Sequence, residues 1–181
     1  MKFKRNYKKA FTLIELLVVI AIGAILTVVL LPGFISARRY SQLDEDVTRV
    51  VIMIREAQEQ SLYPNKNELG VQDFNFLCTT HFRRINETQV GITATFGTAL
   101  NNEGKCANFS PTNINFTTQP LKYSTVNTIT GIHFGTPFGE VIDRDSFSSG
   151  QNSFDIVLTH NLDNNLKRTI TVKKIGIIDL K

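Results

Sequence analysis

The sequence predicts an α+β protein in which one long N-terminal α-helix packs against an antiparallel β-sheet head. Three observations predict this fold. The stretch from Phe11 to Leu31 is almost entirely apolar, and as a helix it would span about 31 Å, the thickness of the hydrocarbon core of a bilayer. From Ser36 to about Tyr63, apolar residues recur at helical spacing. Beyond Asn65 the composition changes to short alternating patterns that are typical of strands.

Glu15 is the single charged residue of the apolar run. An ionisable group inside a membrane span is costly unless an opposite charge neutralises it. Cleavage just before Phe11 would create an ammonium group at the same depth, on the same chain or on its neighbour. We expect Glu15 to pair with the N-terminus of a neighbouring subunit, so that neutralising the acid also sets the register between subunits.

The residues around the expected cut are Lys9-Ala10-Phe11-Thr12-Leu13-Ile14-Glu15. Followed by an apolar run that Pro32 interrupts, this stretch resembles the N-terminus of the type IV pilins and type II secretion pseudopilins. The resemblance implies cleavage by a prepilin peptidase between Ala10 and Phe11, N-methylation of Phe11, and a contact of Glu15 with the neighbouring N-terminus. It also implies other pilin subunits and an inner-membrane assembly platform as partners, and no cofactor. The family usually has Gly where this chain has Ala10, so we expect slower processing.

Two other interpretations of the apolar run remain. A secretory signal has an apolar region of about 7 to 15 residues with a cleavage site after it, whereas this run is longer and the expected cut precedes it. A plain single-pass anchor fits the length but leaves Glu15 unexplained.

Five basic residues precede the expected cut, and no acidic residue does. They are Lys2, Lys4, Arg5, Lys8 and Lys9. Their removal leaves 15 basic against 16 acidic side chains, from 20 against 16 in the whole chain. The excess of basic over acidic residues therefore comes from the leader. It indicates the orientation of the chain in the membrane, with the leader in the cytoplasm, and not nucleic-acid binding. We expect a single-pass protein of the bacterial inner membrane with its head in the periplasm, which later joins a pilus or pseudopilus.

The chain divides on these grounds into four parts. They are a cleaved leader at 1–10, a transmembrane and assembly helix at 11–35, an amphipathic continuation of the helix at 36–63, and a β-rich head at 64–181. Pro32-Gly33 predicts a kink or a melted turn, because proline lacks a backbone donor and clashes with the preceding turn. In the family a proline at this place is associated with local loss of helix in the assembled filament.

The second half of the helix is predicted to carry an apolar stripe on which the sheet packs. Its residues are Leu43, Val47, Val50, Val51, Ile54 and Ala57, and the charged residues on other faces are Arg38, Arg39, Asp44, Glu45, Arg49, Arg55 and Glu59. Pro64 with Asn65 is expected to end the helix.

Six strands are predicted, at 74–78, 90–96, 113–117, 129–134, 154–159 and 168–175. The last two form a hairpin joined by residues 160–167. Its turn is expected to place Asn161, Asp163, Asn164 and Asn165 at positive backbone angles.

The C-terminal hairpin also resembles that of the GspH/FimT subgroup of minor pilins and pseudopilins. The residues that carry this resemblance are Phe154 to Leu158, Arg168 to Val172 and Ile175 to Ile178. In that subgroup an Arg commonly follows the C-terminal Gly, and nearby basic residues have been linked to DNA capture. Here Ile177 follows Gly176, and Lys173, Lys174 and Lys181 are the nearby cations for a nucleic-acid contact. DNA binding is therefore the less favoured alternative.

Cys78 and Cys106 both lie in the exported part, where oxidation is permitted, and we expect them to form a disulfide. The sequence carries no HExxH or GxSxG motif, so His81, His133 and His160, which stand alone in the sequence, are interpreted as surface or hydrogen-bonded structural residues. Asp143 and Asp145 could contribute oxygens to a calcium site, but such a site needs six or more. A solvated turn is the favoured interpretation, and no metal site is expected.

Three classes of function remain open at this point. They are a structural filament subunit, a module in the same machine that captures DNA or an exported substrate, and an exported enzyme that merely uses this leader. The absence of a recognisable catalytic motif disfavours the enzyme. We favour a minor pilin or pseudopilin.

Overall fold

The computed structural model describes residues 12–63, 76–97, 109–127, 131–135, 140–142 and 152–180. The chain forms two compact units, Met1–Arg39 and Tyr40–Lys181. Its described elements are one helix and nine strands. They are α1 Leu13–Leu62, β1 Phe76–Asn86, β2 Gln89–Gly97, β3 Phe109–Pro120, β4 Ser124–Val126, β5 Ile132–Gly135, β6 Glu140–Ile142, β7 Ser153–His160, β8 Asp163–Lys173 and β9 Ile178–Leu180.

The helix α1 is continuous over 50 residues and contains Pro32. The predicted melted turn is therefore wrong for the isolated chain. Proline removes one backbone hydrogen bond and disturbs one turn, and the Leu, Val, Ile and Ala residues on either side sustain the helix. The helix ends at Leu62, where the backbone N–H of Tyr63 donates to the carbonyl of Glu59 at 2.8 Å. Pro64 and Asn65 lie outside the described residues.

The strands form two antiparallel sheets, where the prediction had one. The first has the order β3-β2-β1-β5-β6 and the second the order β4-β7-β8-β9. The Arg84 guanidinium of β1 donates to the Val126 carbonyl of β4 at 2.8 Å and so joins the two sheets.

One apolar core lies between α1 and both sheets. The helix contributes Leu43, Val47, Val50, Met53, Ile54 and Ala57, and the strands contribute Phe82, Val90, Ile92, Val126, Ile132, Phe134, Val141, Ile156, Leu158, Leu166, Ile170 and Val172. The predicted stripe is thus confirmed, with two changes. Val51 is only partly buried at the margin of the core, and Met53 takes a buried place that was not predicted.

The six predicted strands each match one of the nine in part, and β4, β6 and β9 were missed. The strand β1 continues to Asn86, well beyond its predicted end at Cys78. Cys78, Thr80 and Phe82 are buried and alternate with the less buried Thr79, His81 and Arg83. Alternation of buried and polar residues is the strand signal, and the prediction overlooked it.

The hairpin of β7 and β8 turns tightly at Asn161 and Leu162, so the predicted turn over 160–167 is wrong. No described residue other than glycine has a positive φ, which also contradicts the expected backbone angles. The reason is a bulge, because Thr159 pairs with Lys167 while His160 pairs with Asp163. The polar residues between those two pairs lie within the irregular strand.

Candidate functional site

The assembly segment, residues 12–35 of the chain, exposes its apolar side chains. Every large apolar residue from Leu13 to Ile35 is exposed, by between 47% at Val18 and 81% at Leu13. This half of α1 is long and apolar enough to cross a membrane, by length and composition. In the isolated chain these side chains have no protein surface to bury against, so a lipid or protein environment must cover them.

Glu15 lies in the first turn of α1 and caps it together with Thr12. Its Oε2 atom accepts hydrogen bonds from the backbone N–H and from the hydroxyl of Thr12, both at 2.9 Å. The hydroxyl of Thr12 in turn accepts from the N–H of Glu15 at 3.4 Å. This reciprocal pattern is a capping box. Oε1 makes no hydrogen bond to a described residue, so half of the carboxylate is available to a partner.

Sequence reasoning missed the role of Thr12. The signal was the spacing Thr-x-x-Glu at the start of an apolar helix, which is the sequence form of a capping box. Ala10 and Phe11 lie outside the described residues. Cleavage between them, methylation of Phe11 and its pairing with Glu15 therefore stay predictions.

Asp46 is the other carboxylate of α1 with a special position, and the sequence analysis did not single it out. It is completely buried. Its carboxylate accepts from the N–H of Lys122 at 3.2 Å, from the N–H of Tyr123 at 2.8 Å and from the hydroxyl of Ser124 at 2.9 Å. These three donors compensate the loss of water around the charge. A sequence signal existed, because Asp46 shares the helix face of Leu43 and Val50.

Two further contacts attach the sheets to α1. Arg168 of β8 donates through Nε to the Asp44 carboxylate at 2.9 Å, and its guanidinium lies 5.5 Å from the centre of the Tyr40 ring. The hydroxyl of Thr80 in β1 donates to the carbonyl of Ala57. Contacts at Tyr40 to Asp46 and at Ala57 therefore hold the outer half of the helix at both of its ends.

The candidate nucleic-acid residues do not form a free basic cluster in the described part of the chain. Lys173 forms an ion pair with Asp179, with Nζ and Oδ2 2.7 Å apart. Lys174 is exposed, and Lys181 lies outside the described residues. Pairing with a carboxylate competes with binding to phosphate, so Lys173 is a weak candidate.

Two of the three histidines lie against each other, which the sequence did not predict, and His81 has hydrogen-bond partners, which it did. The rings of His81 in β1 and His133 in β5 have centroids 4.0 Å apart. The Nε2 atom of His81 also lies 2.6 Å from the hydroxyl of Thr79 and 3.1 Å from that of Thr95. Burial, with smaller effects of His133 and Arg83, lowers the pKa of His81 to about 3. The His81 imidazole is thus neutral at ordinary pH.

The remaining candidates are only partly described. His160 is buried, and its Nδ1 accepts from the N–H of Leu162 at 3.1 Å. Cys78 is buried in β1, while Cys106, Asp143 and Asp145 lie outside the described residues, so the disulfide stays a prediction. Within the described ranges, no three His, Cys, Asp or Glu side chains are grouped to hold a metal ion.

Comparisons with known proteins give one similar structure and one sequence motif. Among solved structures, the chain is similar to the type IV minor pilin FimU of Pseudomonas aeruginosa, with 10% identity, a TM-score of 0.44, and coverage of 76% of this chain and 91% of that one. No curated protein matches the sequence. Residues 5–31 match the family model described as the prokaryotic N-terminal methylation motif. This motif covers the expected cut and the assembly segment as far as Leu31.

Proposed function

We propose that this protein is a minor pilin or pseudopilin, a structural subunit of a type IV pilus or of a type II secretion pseudopilus. One observation carries the proposal. The methylation motif at residues 5–31 leads directly into a helix half whose large apolar side chains are all uncovered in the single chain. A structural subunit needs such a surface to pack against its neighbours.

Assembly begins, in this proposal, with two modifications at the leader. A prepilin peptidase cuts between Ala10 and Phe11, and Phe11 is N-methylated. The new terminus carries a positive charge at the membrane depth of Glu15. The free Oε1 of Glu15 accepts the terminal ammonium of a neighbouring subunit, while Oε2 keeps its bonds to Thr12.

Neutralisation of Glu15 and burial of the apolar side chains then occur in one step. In lipid, the unpaired charge of the Glu15 carboxylate raises the free energy of the isolated subunit relative to the assembled one. In the filament the carboxylate is paired, and the side chains from Leu13 to Ile35 pack against those of neighbouring helices. The partners are other pilin subunits, the peptidase and the inner-membrane assembly platform, and the head lies in the periplasm before assembly.

The head acts as a rigid attachment in this scheme. Asp46 is held by three donors, and Arg168 contacts both Asp44 and Tyr40. Such contacts fix the sheets to the outer half of α1.

The substitution Glu15→Gln tests the proposal sharply. Gln retains the capping box but removes the charge, so the helix and its insertion are preserved. We expect the variant to insert into membranes and to be lost from the filament fraction, as judged by co-sedimentation with sheared filaments. Glu45→Gln, a matched change on the exposed outer half of α1, removes one charge far from the motif, weakens only an exposed pair with Arg49, and should co-sediment almost normally.

Mass spectrometry of native material provides the second measurement. We expect a chain that begins at Phe11 and carries one added methyl group. An intact leader in assembled protein, or normal co-sedimentation of Glu15→Gln, would contradict the proposal.

A further inference from the structure

The turn between β8 and β9 presents apolar side chains to solvent. We define the C-terminal patch as Lys174, Ile175, Ile177 and Leu180, and its three apolar residues are exposed by 73%, 47% and 61%. Hairpin turns are usually formed by polar residues and glycine. Three exposed apolar side chains on one turn and the strand that follows it indicate a contact surface, whereas a single one does not.

This turn is held in one conformation. The N–H of Lys173 donates to the carbonyl of Ile177 and the N–H of Gly176 to the carbonyl of Lys173, both at 2.8 Å. Gly176 has a φ of 83°, which residues with a side chain rarely adopt. The backbone therefore fixes Ile175 at the apex, and its exposure is not that of a loose tail.

The C-terminal patch has a net positive charge. Lys173 beside it is neutralised by Asp179. Among the described residues Lys174 has no acidic partner, so its ammonium is available. The patch thus combines apolar contact area with one free cation.

The end of α1 has the complementary chemistry. We define the helix end as Glu59, Leu62 and Tyr63, of which Tyr63 is 79% exposed and Leu62 is 37% exposed. Glu59 is exposed, pairs with no cation among the described residues, and the last helical turn contains no basic residue. The negative end of the helix dipole adds to the charge of Glu59. A cation beside apolar groups would stabilise this end.

The geometry points to a head-to-tail contact in which the C-terminal patch of one subunit binds the helix end of a second copy of this chain. A second copy of the chain is the expected partner, because Lys174 and Glu59 carry opposite charges and both surfaces expose apolar side chains. The two surfaces are different, so the contact is heterologous and leaves one of each free on every pair. It can therefore extend along a filament, and it rests on the proposed function above.

Engineered cysteines test this contact in full-length protein within filaments. We expect Tyr63→Cys combined with Ile175→Cys to give dimers and higher multiples on mild oxidation, because a disulfide forms only when the two Cα atoms approach within about 7 Å. Tyr63→Cys with Leu162→Cys is the matched control, since Leu162 is equally exposed at the other hairpin turn, at 77%. That pair should give no multiples, and neither should the single variants.

Normal co-sedimentation of the double variant without the 63–175 product would overturn the contact and leave the proposed function standing. Equal products from the Leu162→Cys control would also overturn it. Absence of the wild-type chain from filaments would overturn both proposals.

A charge exchange separates the contact from misfolding. Lys174→Glu and Glu59→Lys should each reduce the 63–175 product by about threefold or more, as expected for an exposed ion pair that becomes a repulsion. The two changes together should restore it. Failure of the double exchange to restore the product, while both single changes reduce it, would contradict the pairing of these two residues.

Discussion

The two halves of α1 have similar apolar residues but opposite surroundings. In the assembly segment, residues such as Leu30 are exposed by about two thirds, whereas Leu43 and Ile54 of the outer half are completely buried against the sheets. Each half also contains one specially placed carboxylate. Oε1 of Glu15 has no hydrogen-bond partner among the described residues, whereas Asp46 accepts from three donors of the same chain.

The two halves of α1 are therefore stabilised by different surroundings. The outer half is stabilised within the folded subunit, so its substitutions should affect unfolding. The large apolar side chains of the assembly segment are exposed in the single chain, so its substitutions should affect assembly. The predictions below separate these two effects.

The largest expected effect on unfolding is that of Phe82→Ala. Phe82 is completely buried in the core, and truncation of such a ring costs about 3 to 5 kcal/mol. Leu30→Ala in the assembly segment should change the free energy of unfolding by less than about 0.5 kcal/mol. Denaturant unfolding of the full-length protein in detergent measures both. A similar loss for the two variants would remove the distinction between the halves.

Asp46→Ala should destabilise the protein by about 2 to 3 kcal/mol, because two part-buried N–H groups and the buried hydroxyl of Ser124 lose their acceptor. Asp44→Ala is the matched control on the same helical turn. Its ion pair with Arg168 is partly exposed, and we expect a loss of at most about 1 kcal/mol. Equal losses, measured by the same unfolding experiment, would mean that the buried hydrogen bonds of Asp46 contribute no more than a surface pair.

The smallest expected effect is a dependence of stability on pH. The pKa of His81 in the folded protein is about 3, below its usual 6.5. The unfolded chain therefore binds the proton first, and stability is full above pH 6.5 and declines as the pH falls toward 3. Between pH 7 and 5.5 the decline due to His81 should be about 1 kcal/mol.

His81→Gln isolates this contribution, because it removes the titrating group while His133 and Arg83 remain. The pH dependence of its unfolding free energy should be flatter than that of the wild type over the same interval. Identical slopes would show that His81 is not the group responsible.

The sequence-based predictions were more accurate for features that depend on nearby residues than for features that depend on residues far apart in the chain. The helix, its apolar stripe and the exposed apolar run were predicted well, because each depends on spacing within a few turns. The strands were predicted less well, because β4, β6 and β9 have three residues each, too few to show a period. Thr12 was overlooked although its signal is local, so that omission was avoidable.

The sequence by itself determined the long helix, the position of Glu15 within an uncharged run and the change from helical to strand composition. These features depend on neighbouring residues, and period and length can be read along the chain. Only the tertiary structure decided that Asp46 is held by Lys122, Tyr123 and Ser124, and that His81 faces His133. Those partners are brought together by helix docking and strand register, which depend on residues far apart in the chain.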